Sequence, residues 1–250
     1  MKYLLILFVV AFNTSCVTAK EEPMHIFLLI GQSNMAGRAK LEAGDDKIIE
    51  NCMLWNGESW EAAKAPLNRY SKFKKSPPKF IQGVSPGVEF VKGYMKANPG
   101  VKVGIISGAR GGSKIEEWHP TFDKWTLYKE AVKQTHAALA AGGELKGILW
   151  HQGESNSKAA DEYPAKLKAH IESLRKEFGK PKLAFVFGQI GQWRDDYKPF
   201  NEMIVQQTKL IPNTSCVTTE GLSSFDPYHF DRKSQLELGR RYAAEMLKLF

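Results

Sequence analysis

Cysteine is scarce in this sequence. Among 250 residues there are only Cys16, Cys52 and Cys216. That number is too small for a disulfide-dense scaffold, and none of the three has the cysteine–histidine spacing of a zinc site. No cofactor or metal is therefore expected. Pairing between Cys52 and Cys216 stays open, because their positions along the chain say nothing about their distance in space. Internal repeats, low-complexity tracts and composition shifts that would mark a linker are also missing, so residues 20–250 read as one domain. Beyond the first twenty residues no apolar run is long enough to span a bilayer. A strong basic tract is lacking too. The formal charge is +8, but the positive residues are dispersed, and the densest run, Lys72-Phe73-Lys74-Lys75, sits in a proline-bearing loop. It reads as a solvated face, which argues against a nucleic-acid partner. The G-x-S-x-G elbow of the common lipases does not occur.

The N-terminal residues have the make-up of an export signal. Lys2 is the positive flank, Tyr3 to Phe12 the apolar stretch, and Val17-Thr18-Ala19 a small-residue cleavage site. Residues 1–19 are thus expected to be a signal peptide, implying a secreted or periplasmic protein. Lipid attachment at Cys16 is the alternative, although Asn13-Thr14-Ser15 matches the required pattern poorly. Removing Lys2 with the signal would lower the formal charge to +7.

The remaining chain alternates strand-like and helix-like segments. Apolar runs recur near 25–30, 101–106, 146–150, 183–187 and 215–219. Helical spacing marks Thr126 to Ala141, Lys166 to Phe178 and Lys233 to Phe250, and Pro86-Gly87 opens another helix. This order predicts an α/β domain in three layers, with a parallel sheet of about five strands between helices. Residues 37–86 are irregular, with a short strand possible at Cys52-Met53-Leu54-Trp55. So long a connection is usually functional.

Three stretches carry chemistry. Gly31-Gln32-Ser33-Asn34-Met35-Ala36-Gly37 follows the first strand and places a serine where a sheet presents ligands. Asp226-Pro227-Tyr228-His229 puts an acid and a base three residues apart in a turn, the partners a serine nucleophile needs. Trp150-His151-Gln152-Gly153-Glu154-Ser155-Asn156 follows another strand, with Glu154 as a second carboxylate able to orient His229. Taken together, the G-Q-S-N-M start, the W-H-Q-G-E-S loop and the late D-x-x-H-F resemble the SGNH-type hydrolases. Among these they resemble carbohydrate esterase family 6 and the sialate O-acetylesterase-like group. The resemblance extends through Pro86-Gly87, Gly111-Gly112-Ser113 and Trp118.

The resemblance implies the flavodoxin-like SGNH fold and a carbohydrate O-acetylesterase acting on acetylated xylan, sialic acid or similar glycans. Ser33 would be the nucleophile and His229 the base, oriented by Asp226 or by Glu154. The oxyanion would be held by the N–H groups of Ser33 and Gly87 and by the Gln152 amide. His151 would serve to place the loop. The sugar would meet Gln32, Asn34, Arg110, Gly111, Gly112 and Trp118. Arg110 is a departure from the pattern, suited to an acidic sugar or to pairing with a nearby carboxylate. A lipase or thioesterase of the same class and a non-catalytic carbohydrate-binding protein are the competing functions. Trp55, Trp60, Trp118, Trp150 and Trp193 favour sugar over acyl chains.

Overall fold

The computed structural model describes residues 22–72 and 82–250. The signal segment, Cys16 and most of the 72–75 basic run lie outside the described residues. In β1 (His25–Gly31), Ile26 to Ile30 are all fully buried. Each such side chain is worth roughly 1.5–3 kcal/mol when removed from water. A strand buried on both faces belongs at the centre of a parallel sheet, and β1 lies fourth of seven in the order β3-β2-β4-β1-β5-β6-β7.

The other strands are β2 (Cys52–Trp55), β3 (Trp60–Ala62), β4 (Val103–Ser107), β5 (Glu144–His151), β6 (Ala184–Gly188) and β7 (Thr214–Val217). All neighbouring pairs are parallel except β2–β3, an antiparallel edge hairpin. The sheet thus has seven strands rather than about five. The two extra strands lie in the 37–86 connection, where they add β2 against β4 and a short strand β3 at the edge.

Alternation along β1 divides the core in two. Phe27 and Leu29 face a layer built with α2 (Gly87–Ala97) and α6 (Arg232–Leu247), where Phe90, Tyr94, Leu238 and Tyr242 meet. Ile26, Leu28 and Ile30 face α3 (Leu127–Ala140), α4 (Tyr163–Glu177) and α5 (Lys198–Leu210). The short α1 (Ser33–Ala36) follows β1 directly. Cys52 and Cys216 are both free and lie in β2 and β7. Five strand spacings separate these two strands, roughly 24 Å, against the 7 Å limit between Cα atoms for a bridge. Among the described residues no helix is long and apolar enough to cross a membrane.

Candidate active site

Because the strands are parallel, the loops after β1, β4, β5, β6 and β7 emerge at one edge of the sheet, where open α/β folds bind ligands. Gly31 makes the first turn possible. Its φ is 133°, and a Cβ there would lie 2.2 Å from the His151 carbonyl oxygen, so only glycine fits between β1 and β5. The chain then turns into α1 with Ser33 at the first helical position.

Ser33 Oγ lies 3.0 Å from His229 Nε2, and His229 Nδ1 lies 2.7 Å from Asp226 Oδ2. The other Asp226 oxygen accepts the backbone N–H groups of Tyr228 and His229, each at 2.8 Å. Burial alone would raise the Asp226 pKa. The hydrogen bonds from the His229 ring and from these two N–H groups outweigh it and hold the carboxyl below its usual range. The loop is anchored at both ends. Phe225 N–H donates to the His229 carbonyl, and Asp231 caps α6 by accepting from Ser234 N–H and from the Ser223 hydroxyl. The Phe225 ring stacks on His229 with centroids 5.8 Å apart.

The loop after β5 is differently arranged. Gln152 is buried, and its Nε2 faces Asn156 Oδ1 at 2.7 Å, the Ser113 carbonyl at 3.1 Å and Gln32 Oε1 at 3.2 Å. Its Oε1 accepts from the Tyr163 hydroxyl at 2.8 Å. Both amide hydrogens are therefore committed, which corrects the expectation that Gln152 donates to an oxyanion. Glu154 does not orient His229 either: both ring nitrogens of His229 are already engaged by Asp226 and Ser33. The carboxylate of Glu154 instead accepts from Asn34 Nδ2 and lies 3.8 Å from His151 Nε2. Burial pushes the Glu154 pKa up to about 7 and that of His151 down to about 3, so His151 is neutral. His151 Nδ1 meets the Tyr242 hydroxyl at 3.0 Å, in keeping with a role in placing the loop.

Several expected sugar contacts are likewise internal. Asn34 is fully buried, donating also to the Tyr228 carbonyl and accepting from Phe230 N–H and Gln235. Gln32 Oε1 receives Gln152 and the Ser155 N–H. Trp118 is fully buried, with its indole N–H on Ser113 Oγ. Arg110 pairs with Glu117 at 2.9 Å and lies 4.2 Å over the Trp125 ring, the second of its two expected roles. Trp55 and Trp150 are also core residues.

Gly87 opens α2, where a Cβ would strike Leu29 and Leu67 in the apolar layer. The glycine beside the serine is Gly111, in the loop after β4: a Cβ there would come within 3.7 Å of Ser33 Cβ and 2.3 Å of the Arg38 guanidinium. Gly112, next to it, turns the chain with a φ of 69°. Gly111 belongs to the Gly111-Gly112-Ser113 stretch that carries part of the resemblance, whereas Arg38 beside it carries no motif. Among the described residues no cluster of His, Cys, Asp or Glu could hold a metal ion.

A seven-stranded, mainly parallel sheet with a Ser–His–Asp chain of hydrogen bonds across its C-terminal edge defines an SGNH-type hydrolase. Residues 23–248 match the family model described as carbohydrate esterase, sialic acid-specific acetylesterase, and the chain belongs to that family. It is 30% identical to a probable carbohydrate esterase of Arabidopsis thaliana, over 91% of this chain and 92% of that protein. A crystal structure from Arabidopsis thaliana superimposes with a TM-score of 0.80 at 27% identity, covering 90% of this chain and 98% of that one. A carbohydrate acetylesterase from Xanthomonas citri shares the fold with a TM-score of 0.66 at 20% identity, covering 90% of this chain and 56% of its own.

Proposed function

We propose that this esterase removes acetyl groups from carbohydrates through Ser33, His229 and Asp226. The observation that carries the reading is the unbroken line Asp226 Oδ2–His229 Nδ1, His229 Nε2–Ser33 Oγ, at 2.7 and 3.0 Å. Ser33 Oγ attacks the acetyl carbonyl carbon as its proton passes to His229 Nε2, and Asp226 stabilises the resulting imidazolium. Collapse of the tetrahedral adduct breaks the bond to the sugar oxygen, which leaves with the proton from His229. Water then gives a proton to His229, its oxygen attacks the acyl-serine, and acetate departs with Ser33 restored.

The backbone N–H of Ser33 suits the oxyanion, since the first residue of a helix has no acceptor within it. The N–H of Gly111, on the glycine that faces Ser33, is the second donor in this reading. An exported location belongs to the same reading, supported by the composition of residues 1–19.

The test is hydrolysis of 4-nitrophenyl esters of increasing chain length, with acetate release from acetylated glycans. Acetyl esters should be cleaved fastest. Ser33→Ala should lower the rate by about 10⁴ or more in a protein with an unchanged melting temperature. Full activity in that variant, or a rate rising with chain length, would overturn the proposal.

A further inference from the structure

A depression lies at the same edge of the sheet as Ser33 and His229. It lies between the end of β6 and the start of α5, has a volume of about 280 Å³, and is bounded by Gln189, Gln192, Arg194, Asp195, Lys198 and Glu202. This falls just under the roughly 300–1,000 Å³ of sites for larger ligands, and suits a single ring. Two contacts join it to the loop that holds Asp226 and His229. The Trp193 indole N–H donates to the Pro227 carbonyl at 3.1 Å, and the Arg194 guanidinium lies 5.5 Å from the Tyr228 ring. Tyr228 and Phe225, 51% and 54% exposed, flank His229 on its solvent side.

The chemistry of the lining narrows the occupant. The two cations are already matched: Arg194 is held by both oxygens of Asp196 at 2.9 and 2.7 Å, and Lys198 lies 4.0 Å from Glu202. With Asp195 also on the wall, no positive charge is left over to select an anion. Gln192 gives one amide hydrogen to Gln189 Oε1 at 3.1 Å and is otherwise exposed, so amide and carboxylate groups present donors and acceptors together. Mixed donors and acceptors beside exposed aromatic rings match a ring whose hydroxyls both give and accept hydrogen bonds and whose C–H faces are apolar. Position matters as well. β6 is two strands from β1, roughly 10 Å, too far for the group under attack at Ser33 and in reach of the next unit of a chain.

We propose that this depression is a subsite for a neutral pyranose unit of the substrate glycan, adjacent to the unit whose ester is cut, with the Tyr228 ring beside Arg194 as its apolar edge. The proposal rests on the glycan-ester reading above. It makes the enzyme one that prefers acetylated oligosaccharides to acetylated single sugars.

The test compares kcat/KM for an acetylated neutral trisaccharide, the corresponding acetylated methyl glycoside and 4-nitrophenyl acetate. The wild type should favour the trisaccharide over the glycoside by about tenfold or more, chiefly through KM. In the double variant Gln192→Ala, Asp195→Ala, both changes being at exposed positions, the ratio should fall to near unity. A trisaccharide preference that is absent, or that survives the double variant in folded protein, overturns the subsite. So does a tenfold advantage for a uronate-bearing trisaccharide over the neutral one. Release from neither sugar by a protein that cleaves 4-nitrophenyl acetate overturns the glycan reading itself, and the subsite with it.

Discussion

Two loops at the same edge of the sheet carry residues fit for catalysis, and they are put to different uses. The loop before α6 holds Asp226 and His229 at the surface of the cleft, with one ring nitrogen turned to Ser33. The loop after β5 holds Gln152 and Glu154 beneath it, buried, with the amide committed to Asn156, Ser113 and Gln32 and the carboxylate to Asn34. The difference lies in hydrogen-bonding capacity already used. A donor with all its hydrogens engaged inside the protein has none for a transition state. The buried loop acts through others: Asn34 joins Glu154 to the Tyr228 carbonyl and the Phe230 N–H, on either side of His229.

Exchanging the acids breaks the comparison most sharply. Asp226→Asn should lower kcat by about 10⁴, the cost of losing the sole orienting carboxylate of a triad. Glu154→Gln, which keeps an acceptor for Asn34, should cost less than tenfold. Steady-state kinetics on both variants checks this, and a larger loss at Glu154 would reverse the assignment.

Gln152→Ala comes next. It removes the side-chain donor to the buried Ser113 carbonyl and one partner each from Asn156, Tyr163 and Gln32, which keep Ile115, Trp150 and Ser155. A buried polar group left unpaired costs about 1–3 kcal/mol. A melting temperature lowered by several degrees, with kcat of the folded protein within tenfold, is the expected result. A drop of 10²–10³ in kcat at an unchanged melting temperature would instead mark an oxyanion donor.

Glu154 also makes a pH-dependent contribution. Its pKa is raised from 4.5 in the unfolded chain to about 7 in the fold, by burial. Between these values the folded state binds the extra proton, so the group's contribution to stability declines as pH rises from about 4.5 to 7 and is constant above. Glu154→Gln removes that decline. Thermal melts should show the variant gaining on the wild type between pH 5 and pH 8, by up to roughly 3 kcal/mol. The smallest effect is expected at the cap of α6, where Asp231→Ala should cost about 1 kcal/mol in denaturant unfolding.

Much of this was legible in the sequence. The strands β1, β4, β5, β6 and β7 and three of the helices follow from apolar periodicity, because burial in a layered sheet leaves a one-dimensional trace, and Pro86-Gly87 marks the start of a fourth helix. The candidates Ser33, Asp226 and His229, which the fold brings into one line of hydrogen bonds, stand out because their sequence features are local: a turn after a strand, and an acid and base three residues apart. The hairpin of Cys52–Trp55 and Trp60–Ala62 was only half visible, since short edge strands have little pattern. The helix Lys198–Leu210 was not singled out. Gln152, Asn34 and Trp118 read as substrate contacts, whereas their hydrogen bonds run to protein groups, and it is Gly111 rather than Gly87 that lies beside Ser33. Residue type and strand-end position suggested exposure to ligand. Whether a side chain's hydrogen bonds are already satisfied depends on partners up to 201 residues away, as for Asn34 and Gln235.

The separation of Ser33 from His229 along the chain also has a consequence for how the site comes into being. Ser33 and His229 are 196 residues apart. At about 5–20 residues per second, a ribosome takes roughly 10–40 s to travel between them. The central strand and the serine are therefore made long before the histidine that faces it. On the proposed mechanism a nascent chain gains hydrolytic capacity only once its seventh strand and the turn beyond it have emerged and docked, so activity in a translation reaction should follow accumulation of full-length product with a fixed lag.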